Sequence, residues 1–467
     1  MARYHLIVIG GGTAGLTVAR LTARNGKKVA LVERDRPGGD CLWTGCVPTK
    51  ALIHAAHLVH GAKNSARFGV MAHDVTVDFD AVRRHVAAAQ AAAGAIETPE
   101  AIARYGVDLV HGEAKFTDDH TVVVGDERLT ADYFVIATGS SPVAPPIPGL
   151  HDAGFDTNVE AVAWESVPAS LCVIGGGPIG VEFAQAMSRF GAATTLLEAG
   201  PRILARDDPD AADVVHRVLT NEGVQVHTGV RILKVERTAS GRRVHFEHDG
   251  EVQSVDAERL LVATSRRPRT DTLDLASAGV EHSATGVAVD AQLRSSKKHI
   301  FAIGDVAGGY QFTHVAEAQG RLAANIIAGR RFQKWSDRVV PRVTYTSPEV
   351  ASVGLREDQA RKAGSRDVKT WEVPLSSVDR AITMGETEGF LKVITARGWN
   401  RLVPGLRGVM GDEVVGACLV APNAGDLLMP IVMAMRAHLP MGIVAWNMQA
   451  YPTLALGIRQ VTGLPFD

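Results

Sequence analysis

Cysteine is scarce in this chain: four residues among 467, at positions 41, 46, 172 and 418. So few exclude a disulfide framework of the kind that staples small secreted domains. Cys172 in Leu-Cys-Val-Ile and Cys418 in Gly-Ala-Cys-Leu-Val lie in apolar runs and read as buried, inert thiols. An excess of one charge is also missing. The 49 basic and 51 acidic residues nearly cancel, and no long run of either sign occurs, so neither nucleic acid nor an anionic membrane surface is an expected partner. No apolar run reaches bilayer length, since residues 428–435 stop at Arg436 and His438. The opening Met1-Ala-Arg-Tyr-His lacks the basic and apolar regions of a secretory signal. The expectation is a soluble, cytoplasmic protein of several domains, each burying its own core.

What is present is a repeated α/β pattern. Residues 5–10 form an apolar strand, followed by a glycine turn, a helix to about Asn25 and a strand over 29–33. The same order returns as a strand over 171–175, a glycine turn, a helix through Arg189 and a strand over 194–198. Between these units lie an Ala-rich helical segment over 85–105, short β-like runs and a proline-rich linker at 142–148. Further breaks fall near Arg266 and over 335–341. The predicted fold is two Rossmann-like nucleotide-binding domains plus a C-terminal αβ domain, divided as 1–145, 146–265, 266–338 and 339–467.

Each unit carries a nucleotide fingerprint. Gly10, Gly12 and Gly15 fit G-x-G-x-x-G between strand and helix, where glycines let backbone approach a pyrophosphate at the positive end of the helix. Glu33 ends the next strand, placed to hold a ribose hydroxyl pair. Gly175, Gly177, Gly180 and Glu198 repeat every element, so two different dinucleotides are expected. An acid at position 198 favours NADH by repelling a ribose phosphate, while Arg202 and Arg206 just beyond it keep NADPH open.

Cys41 and Cys46 directly follow the first unit, which brings both thiols beside a bound cofactor. A helix predicted to begin at Cys46 and run through Leu52 would lower the thiol pKa at its N-terminus, giving a nucleophile or electron donor at neutral pH. No metal site is predicted here. His54, His57 and His60 are read as a solvated face of the helix rather than as ligands.

These features together resemble the pyridine nucleotide-disulfide oxidoreductases, the group holding dihydrolipoamide dehydrogenase, glutathione reductase and mercuric reductase, the last being nearest. The resemblance spans essentially the whole chain. It includes Ala137-Thr-Gly-Ser140, Ala263-Thr-Ser-Arg-Arg-Pro268, Phe301-Ala-Ile-Gly-Asp305 and the run from Tyr345 to Gly354. It implies a homodimer that binds FAD and NAD(P)H, with Cys41 meeting the acceptor and Cys46 lying against the flavin. Lys50 and Glu182 match the ion pair beside flavin and nicotinamide. Thr138 and Gly139 match a cofactor-contacting turn, and Asp305 the acid on the FAD ribityl chain. The backbone around Thr313 and His314 would approach the flavin pyrimidine, with the His314 ring itself structural.

Departures from the family pattern bear on the acceptor. Where disulfide-reducing members carry a histidine and a nearby glutamate, this chain has Tyr451 and Leu456, read as packing residues; His438 lies at the wrong register to substitute. Thiol-disulfide exchange needs an acid for the departing sulfur, help typically worth about 10²–10⁴ in rate, and a phenol of pKa near 10 is a poor proton shuttle. Ser265 replaces a usual glycine, Trp43-Thr44 stands between the cysteines, and no C-terminal cysteine pair precedes the end at 464–467. The expected activity is electron transfer from NAD(P)H through FAD and the Cys41–Cys46 pair to a small-molecule acceptor other than an ordinary disulfide. A flavin-only quinone reductase, or an FAD-binding redox sensor with lost turnover, is the alternative.

Overall fold

The computed structural model describes residues 2–330, 332–398 and 411–461; the chain end at 464–467 lies outside them. The first unit runs β1 (Ala2–Ile9), α1 (Thr13–Arg24), β2 (Val29–Glu33), α2 (Gly39–Trp43), α3 (Cys46–Lys63), α4 (Phe79–Gly94), α5 (Pro99–Arg104), β3 (Val107–His111), β4 (Ala114–Asp118), β5 (Thr121–Val124) and β6 (Glu127–Ile136). Residues 6–9 are almost wholly buried, as a parallel strand covered on both faces requires. The helical segment expected over 85–105 is two helices. Asp78 caps α4 through Ala81 N, and Thr98 caps α5 through Ala101 N with Pro99 in its first turn, so the chain restarts a helix there.

The second unit comprises β7 (Ser140–Val143), α6 (Leu150–Ala153), α7 (Asn158–Ala161), β8 (Ser170–Ile174), α8 (Pro178–Phe190), β9 (Ala193–Glu198), α9 (Pro209–Asn221) and β10 (Gln225–Thr228). It continues through β11 (Arg231–Thr238), β12 (Gly241–His248), β13 (Glu251–Ala257) and β14 (Arg259–Val262). A four-stranded parallel sheet, ordered β10-β9-β8-β14, sits beside the antiparallel β11-β12-β13. The chain leaves along β15 (Ser265–Pro268), which pairs antiparallel with β7. Pro142 therefore belongs to a strand, and the proline-rich stretch is irregular only beyond Val143.

After a short hairpin, β16 (His282–Ser283) and β17 (Gly286–Val287), the chain rejoins the first sheet through β18 (Ile300–Ala302). β1 pairs with one edge of β6. On the other edge β5 takes residues 127–130 and β18 takes residues 134–136. The sheet order is β3-β2-β1-β6-β5-β4, with β18 on β6. α10 (Thr313–Ile327) then packs on α1, so closely that a Cβ at Gly320 would lie 2.8 Å from Ala14 O.

The C-terminal unit has β19 (Arg342–Thr344), β20 (Glu349–Gly354), α11 (Glu357–Lys362), β21 (Lys369–Pro374), α12 (Asp379–Met384), β22 (Phe390–Ala396) and β23 (Glu413–Ala421). They form a five-stranded antiparallel sheet, β19-β20-β23-β22-β21. Helices α13 (Ala424–Leu427), α14 (Met429–Arg436), α15 (Met441–Trp446) and α16 (Leu456–Gln460) follow it. The mixed α/β architecture is the one expected. Among the described residues no helix is long and apolar enough to cross a membrane.

Candidate functional site

A cleft of about 1940 Å³ connects both glycine turns, the cysteine segment and the start of the C-terminal unit. That exceeds the roughly 300–1,000 Å³ of a single small-molecule pocket. Its two ends are built alike. Gly10 and Gly175 have φ of +107° and +112°, and a Cβ there would lie 2.4 and 2.6 Å from the carbonyl oxygens of Ala137 and Ala263, so only glycine fits. Glu33 accepts from Gly11 N at 2.6 Å and Asp35 N at 2.9 Å. Glu198 accepts from Gly176 N at 2.5 Å and Gly200 N at 2.6 Å.

Helices α4, α5 and α9 are capped by the side chains of Asp78, Thr98 and Asp208. The glycine turns leave the helices that follow them, α1 and α8, without a side-chain cap. Gly12, Thr13, Gly177 and Pro178 line the cleft at these helix starts, and the uncapped first-turn N–H groups, of which Pro178 supplies none, are a donor set suited to a pyrophosphate. The residues present fit two dinucleotides.

Between the turns sits the thiol pair. Cys41 lies in α2, and Cys46 opens α3, which runs to Lys63, eleven residues past its predicted extent. Both are free thiols in this structure. Cys46 Sγ is 3.3 Å from the Thr313 hydroxyl at the start of α10. The Cys41 thiol's hydrogen bond to it, then Thr313 and the Lys50 charge, outweigh burial and lower the Cys46 pKa. The same hydrogen bond and burial raise that of Cys41. The two sulfurs thus differ, Cys46 being the more acidic of the pair.

One turn further along α3, Lys50 Nζ reaches Glu182 Oε2 on α8 at 2.9 Å. Burial works against the Lys50 ammonium, but Glu182 outweighs it and the pKa is raised. The other Glu182 oxygen accepts from Tyr345 N at 2.9 Å, and Lys50 Nζ stands 4.5 Å from the Tyr345 ring centre. Sequence reading found Lys50 and Glu182 but gave Tyr345 no role.

It also missed a polar chain beneath α2. Ser140 Oγ donates to Asp305 Oδ2 at 2.6 Å and accepts from Arg266 Nε at 2.8 Å. Arg266 Nη2 pairs with Asp40, the residue before Cys41. Burial raises the Asp305 pKa. Thr138 Oγ1 donates to Arg269 O at 2.6 Å, and Gly139 lines the same wall. The signal available in sequence was an acid beside the first cysteine and an arginine in the 263–268 motif, but nothing linked residues so far apart.

His314 Nε2 bonds to Pro341 O at 2.9 Å and its ring stacks on Phe312, so its side chain braces a loop. His57 does not share the solvated face read for His54, His57 and His60. Only His54 is exposed, and the His57 Nε2 is buried without a hydrogen-bond partner among the described residues. Burial lowers its pKa to about 4. Cys172 and Cys418 are buried as expected. Leu456 is 6% exposed, but Tyr451 is 69% exposed and donates to Asp379 Oδ2 at 2.9 Å; it is not a core residue, nor does it line its own chain's cleft. Trp43 lines the cleft, with Arg36 over its ring and its Nε1 donating to Pro37 O.

Comparison with known proteins agrees with this geometry. The pyridine nucleotide-disulphide oxidoreductase family matches residues 4–320, and its dimerisation domain matches residues 340–461. Mercuric reductase of Staphylococcus aureus is 35% identical over 465 residues, 99% of this chain and 82% of that protein. Dihydrolipoyl dehydrogenase of Geobacillus stearothermophilus is 36% identical over 455 residues, 96% of this chain and 93% of that protein. Among solved structures, the Cu(II) complex of the HOCl-induced flavoprotein disulfide reductase RclA from Escherichia coli aligns with a TM-score of 0.84. It is 27% identical and covers 99% of both chains. Matches of this extent place the protein among the pyridine nucleotide-disulphide oxidoreductases, enzymes that depend on FAD and NAD(P)H.

Proposed function

We propose that this enzyme passes electrons from NADH through FAD and the Cys41–Cys46 pair to a small acceptor that needs no protein acid at the departing atom. The observation that carries the reading is the placement of Cys46, which opens α3 with its Sγ 3.3 Å from the Thr313 hydroxyl and Lys50 one turn on, so that Cys41, Thr313 and Lys50 lower its pKa. Residues 1–145 and 266–338 are assigned to FAD, 146–265 to the nicotinamide cofactor and 339–467 to a homodimer interface. Gly10, Gly12, Gly15, Glu33, Thr138, Gly139, Asp305 and the backbone at His314 are assigned to FAD. Gly175, Gly177, Gly180 and Glu198 are assigned to NADH. Both Glu198 oxygens are fixed by backbone N–H groups, which keeps the carboxylate where a ribose phosphate would meet it.

Bound FAD supplies two-electron chemistry between the nicotinamide and the disulfide. The chain's part is positional and electrostatic. Lys50, fixed by Glu182, holds a positive charge beside Cys46 and stabilises its thiolate. Cys41, which also lines the cleft, meets the acceptor. With a quinone, the Cys41 thiol and Cys46 thiolate lose two electrons and one proton, the S–S bond forms, and the quinone takes that proton and a second from solvent to become a hydroquinone. An oxidising metal ion or an activated disulfide would fit the same exit. Relatives named as mercuric reductases, and a structural relative described as a Cu(II) complex, support including metal ions.

Anaerobic reduction of the holoenzyme with NADH, then addition of quinone, Cu(II), Hg(II) or lipoamide, tests this. Cys46→Ala is expected to abolish reduction of any acceptor served by the dithiol. Unchanged quinone turnover in that variant would sink the dithiol route and favour a flavin-only reductase. Failure of NADH to bleach the flavin would favour a sensor.

A further inference from the structure

Away from the cleft, the described residues hold a cluster of three metal-ligating side chains that the redox chemistry does not use. These are Asp119, His120 and His299, whose ligand atoms lie within 4.8 Å of one another. Sheet topology assembles it. Asp119 and His120 form the turn between β4 and β5, and His299 immediately precedes β18. β5 and β18 pair with successive halves of one edge of β6, so the turn and the start of β18 meet where one partner ends and the other begins.

The hydrogen bonds around the two imidazoles fix their tautomers. His120 Nδ1 is 3.2 Å from Ala131 O, and His299 Nε2 is 2.7 Å from Asp119 O. A carbonyl oxygen only accepts, so each of those nitrogens carries the proton in the neutral ring. His120 Nε2 and His299 Nδ1 are left as lone-pair donors. Metal-binding histidines almost always have this outer arrangement, the second ring nitrogen donating to a carbonyl or carboxylate. The rings stack with centroids 4.2 Å apart and planes within 8°. Lys297 Nζ stands 3.2 Å from Asp119 Oδ2, so a cation already neutralises the carboxylate. The nearby Asp118 carboxylate accepts from His120 N and holds the turn.

We propose that Asp119, His120 and His299 form a site for a first-row divalent cation that favours imidazole, namely Zn(II), Ni(II) or Cu(II), which displaces Lys297 from Asp119. Two nitrogens and one carboxylate oxygen suit these ions, and water completes the shell. Bonds of roughly 2.0–2.1 Å require the three side chains to converge. His120 is exposed and Asp119 partly so, which leaves them room to rotate. The bound ion would clip the β4–β5 turn to β18, the strand that leads to Asp305 in the cleft. A ligand that binds only the folded state stabilises it in proportion to the logarithm of its concentration.

The experiment uses FAD-loaded protein carrying Cys41→Ser and Cys46→Ser, so that the thiol pair cannot take the metal. Titration with Zn(II) by calorimetry is expected to show one equivalent bound per chain, with Tm rising as metal is added. Cu(II), as a paramagnetic probe, is expected to show hyperfine coupling to both imidazole nitrogens. Adding His299→Ala should remove one nitrogen and weaken binding at least about tenfold, whereas Lys297→Met, which removes the competing ammonium, should tighten it. His120→Ala in the otherwise intact enzyme should leave NADH oxidation unchanged. Absence of saturable binding overturns the site, as does equal binding in the His120→Ala/His299→Ala variant or a Cu(II) spectrum lacking two nitrogens.

Discussion

Cys46 shows how single side chains set the chemistry. Its thiol is an acid with a depressed pKa, so the thiolate persists to lower pH than for an ordinary cysteine and is lost as pH falls through the depressed value. Lys50 is one cause of the depression. In Lys50→Met the acidic limb of the kcat/KM profile for acceptor reduction should therefore move to higher pH, by about one unit. Glu182→Gln leaves Lys50 without its charged partner and weakens the hold on Tyr345 N. A hydrogen bond to a charged group is worth about 1.5–3 kcal/mol, so flavin reduction by NADH in stopped flow should slow by about tenfold or more. His57 acts on stability instead. Its folded pKa, about 4, lies below its ordinary value of 6.5, so the folded state resists protonation, and stability present above pH 6.5 is lost as pH falls toward 4. His57→Phe should shift the acid-unfolding midpoint, followed by circular dichroism, to lower pH.

At the scale of elements, the site depends on short segments brought to one place by sheet ends. The turn after β1 requires glycine, because a Cβ on residue 10 would strike the Ala137 carbonyl after β6. Gly10→Ala should lose most of its flavin, measured as absorbance per chain. The helix carrying Cys41 is held from below by the pair between Asp40 and Arg266, whose side chains are 32% and 18% exposed. Removing one partner of a buried pair costs about 3–5 kcal/mol, an upper bound at this exposure. Arg266→Leu should lower Tm and release FAD at lower temperature, measured by flavin fluorescence on heating, and Arg266→Lys should recover only part of the loss. The glycine fingerprint was legible because it is local, whereas Ser140, Arg266 and Asp40 were not, because they meet only when β7 and β15 pair.

For the whole molecule, the C-terminal unit leaves apolar side chains in water. Met433 is 64% exposed, Trp446 75% and Met448 fully exposed, within the region matched by the dimerisation domain. Trp446→Asp is expected to convert a dimer to a monomer in sedimentation while leaving the flavin bound. Tyr451 is exposed as well and bonds to Asp379 of its own chain. If the missing acid limits disulfide exchange, lipoamide turnover should be slow in the native enzyme. It should rise in the Tyr451→His/Leu456→Glu variant, by as much as about 10²–10⁴. Rapid native turnover would remove the argument drawn from Tyr451.

The sequence alone determined the two nucleotide turns, their acids, the thiol pair and the order of the units. Each of these is written in neighbouring residues, where strand burial, glycine φ and helix polarity act over a few positions. Tertiary structure decided which thiol is the more acidic, that Tyr345 completes the Lys50–Glu182 pair, and that Arg266 ties Asp305 to the cysteine helix. It also decided that His57 is shielded, that Tyr451 is not, and that a turn and a distant strand bring two histidines together. The physical reason is range. Hydrophobic and conformational preferences are read along the chain, whereas desolvation and charge pairing depend on which elements the fold makes neighbours.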